Sequence, residues 1–153
     1  MSKDSFPFEF KNIIITDDVR REISGKDILI GVYSGNIITE KFPSEFVFCV
    51  WMSIRSKRVG KFHLQIQTLG PSKLVISDFS TDVGVTSEDN HASFVLGAIK
   101  TELQQEGNIS VRARVDDGQW QECYSIGVMK AFNHSNDQPN VSGQPSGQFQ
   151  SAP

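Results

Sequence analysis

Alternation of apolar and polar residues is the main pattern over residues 1–132. Residues 46–55 and 61–67 each place apolar side chains at every second position, and residues 109–115 repeat this with Arg112 and Arg114 on the polar side. A period of two is that of a β-strand with one buried face. The pattern therefore predicts a series of strands rather than helices.

A second kind of apolar segment lies nearer the start of the chain. Residues 28–33 are apolar at nearly every position, which is typical of a central strand covered on both faces. Ser34-Gly35-Asn36 then predicts a turn, and Ile37-Ile38-Thr39 predicts a returning strand. We therefore expect residues 27–40 to form a hairpin.

The second half of the chain contains a predicted loop and one ambiguous segment. A strand over 73–79 is followed by polar and acidic residues 80–91, which predict a long loop. Residues 92–105 allow either a strand or a helix, since Leu96, Ile99 and Leu103 have helical spacing. We favour a strand, because Glu106-Gly107 resembles the corner before the sixth strand of immunoglobulin-like domains.

About eight short strands separated by turns predict an all-β domain over residues 1–132. The expected architecture is an antiparallel β-sandwich of the immunoglobulin-like kind. The chain has 11 Phe, 2 Trp and 2 Tyr, enough aromatic residues to fill one core. Residues 133–153 are mainly Asn, Ser, Gln, Gly and Pro, a composition that predicts a disordered polar tail.

Charge and cysteine content narrow the class of protein. With 15 Lys plus Arg against 18 Asp plus Glu, the net charge is −3, which does not indicate a nucleic-acid partner. An apolar run of about 18 residues, as a membrane-spanning helix needs, is missing from the sequence. Cys49 and Cys123 lie in apolar strands and are interpreted as small buried hydrophobic residues. Because the first residues also lack a secretory pattern, we expect a cytoplasmic location.

The most distinctive string in the sequence runs from Thr16 to Gly35. It contains Asp17-Asp18-Val19-Arg20, then Gly25-Lys26, then Leu29-Ile30-Gly31-Val32-Tyr33. It resembles the opening of an uncharacterised bacterial domain family, with an acid-acid-Val-Arg turn, a Gly-Lys pair and a hairpin after the first strand. The resemblance implies a β-sandwich and brings with it no established activity, cofactor or catalytic residue.

Three groups of charged residues are candidate partner-binding sites. They are Asp17, Asp18 and Arg20 in the 16–26 string, Arg55, Lys57 and Arg58 in the 55–61 turn, and Glu88 and Asp89 in the 80–91 loop. Each group also has a structural explanation. The aspartates can accept backbone N–H groups at a turn, and the basic cluster can be a solvated hairpin turn that protects two strands from aggregation.

Motifs for catalysis or metal binding are missing from this sequence. The three histidines show no zinc spacing, and neither a Gly-x-Ser-x-Gly elbow nor a Gly-rich phosphate loop occurs. A calcium site is the remaining alternative, since calcium binds loop carboxylates. The candidate carboxylates are Asp78, Asp82, Glu88 and Asp89.

We therefore expect no cofactor and a non-enzymatic binding or structural module. It would act on a protein partner through end loops or a sheet edge, in an oligomeric state that the sequence leaves open. The alternative is a hydrolase-like enzyme whose site is assembled only in three dimensions from loop carboxylates.

Overall fold

The apolar runs form nine β-strands in the computed structural model, which describes residues 6–132. Within that range no helix is present that could cross a membrane. The predicted tail, 133–153, lies outside the described residues. The strands are β1 (Phe8–Arg21), β2 (Asp27–Val32), β3 (Ile37–Thr39), β4 (Ser44–Ser56), β5 (Gly60–Leu69), β6 (Val75–Val85), β7 (His91–Leu103), β8 (Gly107–Val115) and β9 (Gln121–Lys130).

The strands form two sheets that pack face to face. Sheet I has the order β2-β1-β4-β7, and sheet II has the order β3-β9-β8-β5-β6. The predicted period of two accounts for the core: Phe48, Val50 and Met52 point inward from β4, and Leu64 and Ile66 point inward from β5. The predicted β-sandwich is confirmed.

Part of the strand order matches that of immunoglobulin-like domains. In sheet II, the order β9-β8-β5-β6 matches the G-F-C-C′ order of a variable-type domain, while β4 and β7 lie side by side as strands B and E do. One pair departs from the antiparallel expectation, because β3 runs parallel to β9. At the predicted corner before β8, Glu106 Oε1 accepts the backbone N–H of Lys130 at 2.8 Å, which ties this corner to the end of β9.

The predicted hairpin over 27–40 is wrong. β2 pairs with β1 in sheet I, whereas β3 pairs with β9 in sheet II. Residues 33–36 therefore carry the chain from one sheet to the other. The 55–61 turn likewise joins β4 of sheet I to β5 of sheet II and is not a hairpin turn.

The prediction of a central, doubly covered β2 is also wrong. β2 lies at the edge of sheet I, and its side chains are mostly exposed. A continuous apolar run is consistent with burial on both faces, but it does not exclude an edge strand whose apolar residues await a partner.

The second half of the chain brings one further correction and resolves the ambiguous segment. β6 continues to Val85 because its residues pair along the whole of β5, as far as Gly60 opposite Val85. Only residues 86–90 are left as a loop, which corrects the predicted 80–91 loop. Residues 92–105 contain a strand, as we favoured, and β7 runs along β4.

Both cysteines are free thiols in the described chain. Cys49 is buried, and Cys123 is half-buried against the core. Burial raises the pKa of the Cys123 thiol to about 11, so this side chain is an uncharged, poorly reactive packing group. The interpretation of both residues as small hydrophobic groups is confirmed.

Candidate binding surface

Residues 17–32, which we call the arm, leave the plane of sheet I and fold back over its outer face. The pairing of β1 with β4 ends at Thr16. Two strands, β1 and β4, separate β2 from β7 in the sheet order, which in a continuous sheet would place them about 14 Å apart. Yet Ser93 Oγ of β7 donates to Asp27 Oδ2 of β2 at 3.1 Å. The tip of the arm therefore crosses over β4 to reach β7.

Asp27 accepts hydrogen bonds from three residues, and those from Trp51 and Ser93 hold the arm against sheet I. Its carboxylate accepts the indole N–H of Trp51 at 2.8 Å, the Ser93 hydroxyl, and the guanidinium Nε of Arg21 at 2.9 Å. The bond from Arg21, followed by that from Trp51, lowers the pKa of Asp27 from 3.8 to about 2. Only 9% of the Asp27 side chain is exposed, so this carboxylate is ionised and enclosed by donors at neutral pH.

The bend at the base of the arm is built from side chains of the distinctive string. The Thr16 hydroxyl is buried and lies within hydrogen-bond reach of the backbone oxygens of Asp18 and Ile30. Tyr33 donates its hydroxyl to Asp17 Oδ1 at 2.7 Å. Burial, with the neighbouring Asp17, raises the pKa of Tyr33 to about 12, so the phenol keeps the proton that it donates.

Gly31 is required at this bend. Its φ is +67°, and a Cβ atom added there would overlap the Asp17 carboxylate. The string is therefore scaffold on the side of the arm that faces the body of the protein.

The other side of the arm is an exposed apolar stripe. Directly opposed residues of an antiparallel pair share a face, so Ile28, Ile30 and Val32 lie beside Arg20, Asp18 and Thr16. The three apolar residues are 43%, 40% and 49% exposed. Asp18 and Arg20 form an ion pair of 3.0 Å along the stripe. The stripe thus combines three β-branched side chains with one exposed ion pair.

The free edge of β2 adjoins this stripe. Because β2 is the last strand of sheet I, the backbone N–H and C=O groups along one of its sides have no neighbouring strand among the described residues. The sequence interpretation misses this stripe, since the apolar run over residues 28–33 predicts a strand covered on both faces. The same run of apolar residues also fits an edge strand with an exposed apolar stripe, which is the alternative that the structure shows.

The other two predicted groups meet at the far end of β1. Arg55 contacts Glu9 Oε2 at 2.6 Å and Asp89 Oδ1 at 3.4 Å, so the 55–61 turn and the 86–90 loop are brought together there. The guanidinium of Arg58 lies 5.1 Å from the centroid of the Phe62 ring. These cations are engaged with the domain itself.

The remaining candidates make few contacts or lie far away. Lys57 and Glu88 are exposed, and the backbone N–H of Lys57 donates to Pro7 O at 2.8 Å. The Arg55 group is also far from the group in the 16–26 string, because about 25 Å of extended strand separates Glu9, the partner of Arg55, from Asp17. The three predicted groups therefore do not form one site.

The acids proposed for calcium are also dispersed. Asp78 accepts the side-chain amides of Gln65 and Gln67, and Asp82 lies 2.8 Å from His63 Nδ1. Both belong to β6, whereas Glu88 and Asp89 lie in the 86–90 loop. Across residues 6–132, groups of three or more His, Cys, Asp or Glu side chains suited to hold a metal ion do not occur.

The sequence comparisons agree with the expected family. No curated protein is detectably similar to this chain. A family model, described as a family of unknown function (DUF6941), matches residues 11–128, which include the arm, the bend and at least part of every strand. The chain therefore belongs to this family of unknown function.

Proposed function

We propose that this protein is a non-enzymatic binding module whose arm receives an extended segment of a partner protein. The partner segment would add a strand to the free edge of β2 and cover the apolar stripe. The observation that carries the proposal is the exposure of Ile28, Ile30 and Val32 on an edge strand. Strand addition uses both features, because backbone hydrogen bonds supply affinity and alternating side chains supply specificity.

The apolar contribution to such binding is appreciable. Full burial of a branched aliphatic side chain stabilises by about 1.5–3 kcal/mol. Each residue of the stripe still exposes nearly half of its surface, so covering it would contribute about 1 kcal/mol per residue. Three such residues would contribute about 3 kcal/mol, and the backbone hydrogen bonds along β2 would have to supply the rest of what association costs.

The arm is also preorganised for this role. Asp27 and Arg21 fix its tip, and Tyr33 and Thr16 fix its base. A strand held in this way needs little ordering when a partner binds, which preserves more of the contact energy as affinity.

The alternative, a hydrolase with loop carboxylates, receives less support. His63 and Asp82 form a hydrogen-bonded pair beside an open depression of about 460 Å³. Their side chains are 51% and 90% exposed, so the pair lacks the desolvation that tunes a catalytic acid or base. Glu9 and Asp89 are paired with Arg55, which leaves fewer carboxylates for a converging site.

A displayed library of extended peptides tests the proposal. Peptides selected on the full chain should carry apolar residues at alternate positions and should lose at least about tenfold in affinity for Ile30→Glu, because a charge replaces a covered aliphatic group. Ile38→Glu is the matched control, since Ile38 is 59% exposed on an edge strand of the other sheet.

Two results would contradict the proposal. Equal binding to both variants would place the site elsewhere. A concentration-dependent dimer in sedimentation that Ile30→Glu abolishes would show that a second copy of this chain, and not another protein, occupies the edge.

A further inference from the structure

A cluster of polar side chains on the outer face of sheet II has no role in the arm or in the core. We call it the arginine–tryptophan cluster. It consists of Gln65 and Gln67 of β5, Asp78 of β6, Arg112 and Arg114 of β8, and Trp120 just before β9. The guanidinium carbons of Arg112 and Arg114 lie 4.6 Å and 4.7 Å from the centroid of the Trp120 indole ring. One aromatic ring therefore holds two cations close together.

The glutamines fix the arginines in place. Gln67 Oε1 accepts two bonds from Arg112, at 3.0 Å from Nε and 2.7 Å from Nη2, and Gln65 Oε1 accepts Nε of Arg114 at 2.8 Å. Both amide nitrogens donate to Asp78, at 2.8 Å and 2.7 Å. Since the carboxylate only accepts and the guanidiniums only donate, each amide has a single workable orientation.

The two guanidiniums have no carboxylate of their own in the described chain. The ion pairs found within residues 6–132 involve neither Arg112 nor Arg114. Asp78 gives both oxygens to the glutamines, whose hydrogen bonds lower its pKa, with smaller effects from the two arginines. Glu122 lies opposite Arg112 on β9 and is exposed. The cluster thus presents two cations that form no ion pair within residues 6–132, beside an aspartate whose two oxygens are bonded to the glutamines.

The free donors match a carboxylate. Arg114 uses only Nε within residues 6–132, so its two Nη groups form the open side of the guanidinium fork. Two parallel N–H groups at that side fit the two oxygens of a carboxylate. Long arginine side chains ordinarily lose much rotamer freedom on binding, but here the indole and the glutamines have already restricted them.

We propose that the arginine–tryptophan cluster binds an acidic segment of a protein, with a carboxylate on the free side of Arg114 and a second negative charge near Arg112. This site lies on the sheet opposite to the arm and stands independently of the function proposed for β2. The protein would then have two binding surfaces of different chemistry, one apolar and one cationic.

Titration of the full ¹⁵N-labelled chain with a blocked oligoglutamate peptide tests this site. Each of the two tryptophans has one indole N–H signal, and that of Trp51 is bonded to Asp27 on the other sheet. We expect the Trp120 signal to shift and saturate while the Trp51 signal stays still. Arg114→Gln should weaken binding roughly tenfold or more, as expected for the loss of hydrogen bonds between charged groups, and Arg20→Gln, an exposed arginine of the arm, should not.

A second variant keeps the test decisive if Arg114→Gln disturbs the fold. Glu122→Gln leaves the network intact and removes a competing charge, so it should tighten binding of the peptide. An unmoved Trp120 signal at millimolar peptide, equal weakening by Arg20→Gln, or binding of inorganic phosphate in preference to oligoglutamate would each overturn the assignment.

Discussion

Substitution of Trp51 by Phe tests how the arm is held against the sheet. The change keeps an aromatic ring on the outer face of β4 and removes the indole N–H that Asp27 accepts. A hydrogen bond between a neutral and a charged group contributes about 1.5–3 kcal/mol. Trp51 is only half-buried, so the lower part of that range, about 1.5–2 kcal/mol, applies.

This loss should appear as local opening of the arm rather than as global unfolding. Within residues 6–132 the tip of the arm is bonded to Trp51 and Ser93 on the outer face of sheet I, so it can detach while the core stays closed. At 1.4 kcal/mol per factor of ten, backbone amides of the arm should exchange with solvent roughly 10–30 times faster in Trp51→Phe.

Amide hydrogen exchange, read residue by residue, measures this effect. Amides of β8 report the stability of the core and should change little. Trp120→Phe is the matched control, because Trp120 stacks on arginines of sheet II and should leave exchange in the arm unaltered. Wild-type exchange rates for arm amides in Trp51→Phe would refute the argument that the Trp51–Asp27 bond fixes the arm.

Three further predictions concern the arm and the core. Because the pKa of Asp27 is lowered from 3.8 to about 2, its contribution to stability is present above about pH 4 and is lost as the pH falls towards 2. Amide exchange of the arm, measured at several pH values, should show this loss of protection. The variant Asp27→Asn should not show it. Gly31→Ala should destabilise by about 2–3 kcal/mol, since a left-handed φ costs about 1–2 kcal/mol and the added Cβ displaces the Asp17 carboxylate. The arm should therefore open more often, and its backbone amides should exchange roughly 30–150 times faster than in wild type. Gly84→Ala, whose Cβ meets nothing within 4 Å, should leave exchange in the arm unaltered, and equal exchange in the two variants would contradict the clash. Finally, a pKa of about 11 for Cys123 predicts alkylation at pH 8 roughly a hundredfold slower than that of an ordinary thiol, measured by mass spectrometry against Cys123→Ser; rapid modification would contradict it.

The parts of the fold that the sequence predicts are those in which one face of a strand is buried throughout. β5 from Phe62 to Ile66 and β8 from Ile109 to Ala113 alternate apolar and polar residues, and their apolar residues, such as Leu64 and Val111, are part of the core. In such strands burial alone determines which residues face inward, so the pattern is sufficient.

β7 shows why the pattern was ambiguous elsewhere. Ile99 pairs with Phe48 and Leu96 with Val50, so two residues of β7, Gly97 and Ala98, lie opposite one residue of β4. This is a β-bulge, and Ala98 within it has a φ of 50°. The bulge turns both Leu96 and Ile99 towards the core. Their spacing of three therefore imitates a helix.

The arm and the arginine–tryptophan cluster are harder to predict, because each depends on contacts between strands that are far apart in the sequence. The string from Asp17 to Tyr33 was singled out, but its bend and its return to Ser93 need tertiary distances that no local pattern contains. The arginine–tryptophan cluster likewise joins distant residues, such as Arg114 and Gln65, which lie 49 positions apart. The alternation of Arg112 and Arg114 was visible, yet nothing in it indicated that Trp120 would lie between their charges.

Protection of β2 amides on binding is the most direct measurement of the central claim, that the free edge of β2 receives a partner strand. Amide exchange of the full chain should be compared with and without a library-selected peptide. The account predicts that amides on the outward side of β2 become protected in wild type and in Ile38→Glu, and that they stay unprotected in Ile30→Glu. Protection confined to the 57–59 or 86–90 connections, with β2 unchanged, would contradict it.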